Sequence, residues 1–114
     1  MQRTTTLFST FPPDELFLNL TTKLREERQD YEIREPTWKI FFTVKKSLYA
    51  AERAMHNEQV SIQVEILRVR GQAKYAVDFK RKGGSERLFY GKVKEYIEHM
   101  WICNDTTLQV EESN

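Results

Sequence analysis

The chain has 114 residues, of which 39% are hydrophobic and 31% are charged, and its formal net charge at pH 7 is +1. This length suits a single domain with one core, and the balanced charge argues against nucleic acid as a partner. No segment approaches the roughly 18 apolar residues of a membrane-spanning helix, residues 1–4 lack the apolar run of a signal peptide, and the single cysteine excludes an internal disulfide, so a reducing intracellular compartment is expected.

The start of the chain predicts a strand followed by a helix. Residues 4–9 are rich in threonine and include Phe8, which favours a short strand. Pro13 suits the first turn of a helix, and Asp14 and Glu15 lie near the positive end of its dipole. We expect the helix over residues 13–28, because an apolar stripe recurs there at helical spacing: Leu16, Phe17, Leu20 and Leu24.

Alternation of apolar and polar residues predicts two further strands. Residues 31–35 form a short one, and Pro36 places it at an edge of the sheet or ends it there. Residues 38–45 form a stronger strand, with Phe41 unusually on its outer face. Residues 47–58 lack such a pattern, so we expect a mobile surface loop there.

The segment 59–101 predicts a β-hairpin followed by a helix. Residues 60–66 and 74–80 alternate with a period of two, and a short turn containing Gly71 separates them. Gly83 and Gly84 end the second strand. The helix that follows has its own apolar stripe: Leu88, Phe89, Val93, Ile97, Met100 and Trp101.

This order of elements indicates the α+β class. It predicts a single antiparallel sheet of four to five strands, with two long helices packed on one face. The domain is expected over residues 4–102, followed over residues 103–114 by an acidic, flexible tail, in which an edge strand is the less favoured alternative. Five aromatic residues are expected in the core: Trp38, Phe42, Phe79, Phe89 and Trp101.

The sequence offers no catalytic constellation, so we expect no enzymatic activity, no cofactor and no metal for this chain. His56 and His99 are isolated and are interpreted as surface or packed residues rather than ligands. Cys103 lacks a sequence neighbour that would activate its thiol. Gly83 and Gly84 lack the spacing of a phosphate-binding loop, and the catalytic motifs of protein kinases do not occur.

A local excess of positive charge is the most distinctive feature of the sequence. Residues 74–94 contain seven basic and two acidic residues, whereas residues 95–114 contain five acidic residues and no Lys or Arg. The strand end and the helix start meet at the Gly-Gly turn, so their cations can form one surface that holds phosphates of lipids or nucleic acid, or an acidic protein face. A solvated face is the alternative interpretation. The predicted binding residues are Lys80, Arg81, Lys82, Arg87, Lys92 and Lys94.

Two stretches carry a resemblance to a known family. Residues 5–11 (TTLFSTF) precede the first helix, and residues 77–84 (VDFKRKGG) are followed by Leu88, Phe89, Lys92 and Lys94 in the second. Together with the order of elements, they resemble the kinase-associated-1 domain found at the C-terminus of several serine/threonine kinases. The resemblance covers residues 4–102.

The resemblance implies a regulatory rather than a catalytic role. It implies an autoinhibitory domain of a checkpoint kinase that docks on its own kinase domain and is released by phosphorylation during DNA-damage signalling. The contact surface would include the basic strand end and the first helix, and the location would be nuclear and cytoplasmic. Binding of acidic phospholipid is the alternative that the same family implies. We expect a monomer.

Overall fold

The computed structural model describes residues 4–34, 38–48, 56–104 and 109–113. Six strands and two helices lie within these ranges. In chain order they are β1 (Thr4–Ser9), α1 (Pro13–Glu26), β2 (Tyr31–Arg34), β3 (Trp38–Leu48), β4 (His56–Arg68), β5 (Tyr75–Gly84), α2 (Glu86–Asn104) and β6 (Gln109–Ser113).

The strands form one sheet in the order β2-β3-β4-β5-β1-β6, and every neighbouring pair is antiparallel. This arrangement confirms the predicted α+β class, the antiparallel sheet and the two long helices. Strands β1 to β5 are those that the sequence predicts, and β2 lies at an edge, as Pro36 indicated. A sixth strand comes from the predicted tail, where Gln109–Ser113 pairs with β1. Cys103 and Asn104 still belong to α2.

The core lies between one face of the sheet and the two helices. Alternate residues of β3, β4 and β5 are buried on that face, and α1 and α2 contact each other and the central strand β4. Helix α1 contributes Leu16, Leu20 and Leu24 to this core. The predicted core residues Phe42, Phe79 and Phe89 are all buried.

Tyr96 is a core residue that the predicted stripe of α2 omits. Its side chain is 1% exposed, and its ring packs edge-on to Phe42 and parallel to Phe79, with centroids 5.7 and 6.4 Å away. The hydroxyl donates a hydrogen bond of 3.1 Å to Glu27 beyond the end of α1. Burial, followed by the negative charge of Glu27, raises the pKa of Tyr96 far above its ordinary value. This side chain therefore links the core to the end of the other helix.

Trp38 is not the core residue that its alternation predicts. It lies at the start of β3 next to the edge strand and is 40% exposed, since only part of its ring is covered by Phe17 of α1 at a centroid distance of 5.0 Å. The alternation identified the correct face of the sheet, but the helices do not cover that face fully near its edge. The side chain of Trp101 lies outside the described part of the chain.

The ladder between β3 and β4 is longer than predicted, and the predicted loop is correspondingly shorter. Pairing continues as far as Leu48 and His56, so only residues 49–55 separate the two strands, and these lie outside the described residues. Val44 and Val60, which pair with each other, are buried. The alternation predicted this strand only over residues 38–45, whereas the backbone pairing of β3 continues for three more residues.

Helix α1 ends two residues earlier than predicted. Arg28 adopts a φ of 55°, the left-handed conformation in which helices commonly end, and the amide of Gln29 donates to the carbonyl of Leu24 at 2.8 Å. The side chain of Gln29 then donates to the carbonyl of Thr43 in β3 at 2.8 Å. The turn therefore fixes the end of α1 against the sheet.

Candidate functional site

Three of the predicted cations, Arg81, Lys82 and Arg87, flank the turn from β5 into α2, and Gly84 makes this turn possible. Its φ is +94°, and a Cβ at this position would lie 2.2 Å from the carbonyl oxygen of Gln59 in β4. A side chain would therefore meet both backbone strain and a clash. Gly83, in contrast, has no heavy atom within 4 Å of the position that a Cβ would take.

Ser85 caps α2 and ties it to β4. Its backbone amide donates to the carbonyl of Gln59 at 2.8 Å, and its Oγ accepts a hydrogen bond from the amide of Leu88 at 3.2 Å. The same hydroxyl donates to Glu58 Oε2 at 3.2 Å, while the other carboxylate oxygen of Glu58 accepts from Arg87. Glu58 is thus the anion that compensates a cation placed near the positive end of the helix dipole.

Arg81 has a structural role in the same turn. Its Nη1 donates to the carbonyl of Gly84 at 2.8 Å, and its Nη2 lies 3.5 Å from Glu86. The side chain is only 19% exposed, and Nε is buried without a hydrogen-bond partner among the described residues. Arg81 therefore braces the turn more than it presents charge to solvent.

Lys92 is also engaged within the chain. Its Nζ lies 3.6 Å from a carboxylate oxygen of Glu27, beyond the end of α1, and 3.6 Å from one of Glu95 in its own helix. Glu27 also pairs with Lys23 at 3.4 Å and accepts the Tyr96 hydroxyl. This cation therefore helps to join the two helices.

The remaining three predicted residues have no ion-pair partner within the described ranges: Lys80, Lys82 and Lys94. Lys80 pairs with Gln63 and Thr4, on the sheet face opposite the helices. Lys82 is exposed at the β-bulge near the end of β5, and Lys94 is exposed on α2. The six predicted cations therefore divide between the two sides of the sheet.

A groove runs beside α2 on the helix-covered side. Arg87, Gly91 and Lys94 share one face of the helix, with the two cations about 10 Å apart along its axis. The absence of a side chain at Gly91 leaves open space along this face. The groove has a volume of about 510 Å³ and is lined by Val44, Lys45, Arg87, Leu88, Gly91, Lys92 and Glu95.

Arg87 and Lys45 are the cations best placed to bind an anion in this groove. Arg87 is 72% exposed although it binds Glu58, so some of its five donors face solvent. Lys45 is exposed and pairs in register with Gln59, whose carbonyl holds Ser85. The sequence alone did not indicate Lys45, because its position at the groove depends on the register between β3 and β4.

We give the name α2 surface to four exposed cations: Arg87 and Lys94 of α2, Lys45 at the groove, and Lys82 near the end of β5 that leads into α2. Carboxylates of Glu58 and Glu95 lie along it. Such a surface favours carboxylates or phosphates through charge-assisted hydrogen bonds, and its internal carboxylates disfavour indiscriminate binding of anions.

No family model matches the chain, and no curated protein matches it significantly. Within the described ranges, no group of three or more His, Cys, Asp or Glu side chains is arranged to hold a metal ion. Neither of the two described helices combines the length and apolar character needed to cross a bilayer.

Proposed function

We propose that the chain is a regulatory module of the kinase-associated-1 type that docks on the catalytic domain of its own serine/threonine kinase and restrains it. Its residues most resemble the C-terminal regulatory domain of checkpoint kinase one. The order strand, helix, four strands, helix, on which the resemblance partly rests, is present in the fold. The observation that carries the proposal is the exposed α2 surface beside a fixed helix start.

The α2 surface suits docking because part of it is already rigid. Glu58 and Ser85 hold the start of α2 and the guanidinium of Arg87 in place, so less side-chain freedom is lost when an acidic partner binds. Lys82 and Lys94 add two exposed cations without partners among the described residues. An acidic face of a catalytic domain would compensate them.

The contact need not be strong if both domains belong to one polypeptide. A flexible linker gives the docked surfaces an effective concentration on the order of 1 mM. A contact with a Kd of about 10 µM would then favour the docked form by about 100 to 1. Phosphorylation elsewhere in the kinase would release the domain by supplying competing negative charge or by stabilising the undocked form.

The test is basal activity of the full-length kinase after removal of the two exposed cations. Lys82→Gln with Lys94→Gln should raise basal peptide phosphorylation about 2- to 20-fold, because the two exposed ion pairs together contribute about 0.4–2 kcal/mol to docking. The matched control is Arg68→Gln with Arg70→Gln, which removes the same charge from exposed residues at the far end of the β4–β5 hairpin. Equal activation by both pairs, or by neither, would argue against the α2 surface.

Binding of anionic phospholipid is the second candidate, and the exposure of Lys45, Lys82 and Lys94 favours it. The probe is a vesicle of phosphatidylserine and phosphatidylcholine, with phosphatidylcholine alone as the control. Lys82→Gln with Lys94→Gln should weaken vesicle binding by about 1 kcal/mol per charge and leave kinase activity in solution unchanged. As a regulatory domain of a kinase, the protein would work in the nucleus and cytoplasm, and as a lipid-binding module at a membrane surface.

A further inference from the structure

Within the described part of the chain, no strand pairs with the outer edge of β2. Strand β2 ends the sheet, and three of its four residues are exposed: Glu32, Ile33 and Arg34. A strand at a sheet edge offers backbone donors and acceptors to another strand. Both faces of β2 have exposed side chains. Ile33 is 45% exposed on the helix-covered face, and Glu32 and Arg34 are exposed on the opposite face.

The apolar side of this edge extends into the sheet. Ile33 pairs with Ile40, and Trp38 lies two residues from Ile40 on the same face. Trp38 is 40% exposed and packs edge-on against Phe17 of α1. A strand added beside β2 would therefore meet a small apolar surface on one face.

The charged side of the edge is complementary to itself under two-fold symmetry. Arg34 Nε lies 3.2 Å from Glu32 Oε1, and the two side chains are 54% and 64% exposed. If a second β2 pairs antiparallel about an axis through Ile33, the two Ile33 residues face each other. The same register places Glu32 of each copy opposite Arg34 of the other, because directly opposed residues share a face.

Other symmetric registers are disfavoured by charge. An axis through Glu32 would oppose the two Glu32 carboxylates, and an axis through Arg34 would oppose the two guanidinium groups. Like charges that lie directly opposite each other destabilise a strand pair. The alternation of charge around Ile33 therefore selects one register for self-pairing.

We infer that β2 is a homodimerisation edge, at which a second copy of the chain extends the sheet across a two-fold axis through Ile33. The ion pair within each strand is exchanged for two ion pairs between the copies. An edge of four residues buries less than the roughly 1,000 Å² of a stable interface, so the dimer is weak and reversible. The monomer expected from the sequence is accordingly the state at low concentration. This inference is independent of the proposed regulatory role.

Sedimentation equilibrium tests this dimer on the intact chain, whose monomer mass is 13.6 kDa. The mean mass should rise toward that of a dimer between about 10 µM and 1 mM, the range in which small contacts dissociate. Glu32→Arg alone and Arg34→Glu alone should each weaken association about tenfold or more, because both then oppose like charges. The exchange Glu32→Arg with Arg34→Glu should restore it, since opposite charges face each other again.

The control is Glu98→Arg, which makes the same charge change at an exposed position of α2, a helix that packs on β4 and β5. It should leave the association unchanged, and circular dichroism should show that every variant is folded. In the unmodified chain, concentration-dependent amide shifts should concentrate at residues 31–34.

Three results would overturn the inference. One is a monomer across the whole concentration range, and another is association that Glu32→Arg leaves intact or that the exchanged pair does not restore. The third is growth beyond a dimer, which would indicate head-to-tail pairing of β2 with the opposite edge strand β6.

Discussion

Tyr96 joins the core, the two helices and the charge network through one hydroxyl group. Its ring fills the space between Phe42 and Phe79, and its O–H reaches Glu27. Glu27 also forms ion pairs with Lys23 and Lys92, so its carboxylate would keep two cationic partners if the tyrosine hydroxyl were removed. The hydroxyl can thus be removed without leaving an isolated buried charge.

Tyr96→Phe should lower the free energy of unfolding by about 1 kcal/mol, the usual net value of one hydrogen bond, while the ring packing is retained. Denaturant unfolding at neutral pH measures this loss. A change below about 0.3 kcal/mol would show that the hydrogen bond to Glu27 contributes little, given the typical range for such bonds.

The unmodified chain and the Tyr96→Phe variant should also differ in how their stability depends on pH. The pKa of Tyr96 in the folded chain is raised, so its contribution to stability is complete below the unfolded value of about 10 and is lost as pH rises above it. Relative to Tyr96→Phe, the unmodified chain should lose up to about 1.4 kcal/mol per pH unit above pH 10. Parallel stability curves for the two proteins between pH 8 and 11 would contradict this assignment.

The two adjacent glycines at the end of β5 should respond differently to substitution. Gly84→Ala introduces a Cβ at positive φ and against the backbone of β4, so it should destabilise the chain by about 2 kcal/mol or more. Gly83→Ala has open space and should change stability by less than about 1 kcal/mol. Thermal unfolding of both variants makes the comparison, and similar midpoints would mean that the turn is not as tight as described.

At the scale of elements, helix α2 depends on its first turn. Ser85 caps its amides, Glu58 receives both Ser85 and Arg87, and Arg81 binds Gly84 and Glu86. Two of the cations predicted as binding residues therefore stabilise the helix start. Replacing all the predicted cations together would mix loss of binding with loss of structure, and for this reason Lys82 and Lys94 are the better targets.

Ser85→Ala should cost about 1 kcal/mol of stability, because the amide of Leu88 loses its acceptor and Glu58 loses a donor. Ser85→Asp is the informative comparison, since aspartate caps helices equally well but repels Glu58. With Glu58 present, the Ser85→Asp variant should be less stable than the unmodified chain. In a Glu58→Gln background, the loss of stability caused by Ser85→Asp should be smaller. Equal stability of Ser85→Ala and the unmodified chain would show that Ser85 is not the cap.

Local patterns predicted most of the helices and strands, because buried residues recur every second position in a strand and every third or fourth position in a helix. The bounds of β1 and the stripe of α1 followed from residues that are in contact with the core. The alternation of apolar and polar residues did not predict features that depend on residues far away in the chain. Trp38 has the alternation of a core residue but lies near the edge, and the pairing of Leu48 with His56 lies beyond the segments whose alternation predicted strands.

The candidate site was predicted in composition but not in arrangement. The sequence identifies the cations, whereas their partners Glu58 and Glu27 come from β4 and from beyond the end of α1, 29 and 65 residues away from Arg87 and Lys92 in the chain. The strand that carries Lys80 also directs it to the face opposite α2. A count of charges along the sequence does not show which face of the sheet each cation occupies. The fold therefore separates Lys80 from the predicted binding residues on α2.

At the scale of the whole molecule, the fold reduces the charge asymmetry of the sequence. The acidic β6 lies two strands from β5, and Ser113 and Lys80 pair with the same residue, Thr4. The spacing between neighbouring strands is about 4.8 Å, so the two segments of opposite charge lie about 10 Å apart here. Arg87 and Lys94 of α2 lie on the helix-covered side of the sheet, where Glu58 and Glu95 compensate the cations only partly.

The proposed docking role depends on direct binding of the α2 surface to a catalytic domain. Isothermal titration of the isolated catalytic domain with this chain measures that binding in trans. We predict a Kd of about 1–100 µM that rises with salt, rises about 2- to 30-fold for Lys82→Gln with Lys94→Gln, and is unchanged for Arg68→Gln with Arg70→Gln. No binding at about 1 mM, or equal binding by the two double variants, would contradict the account.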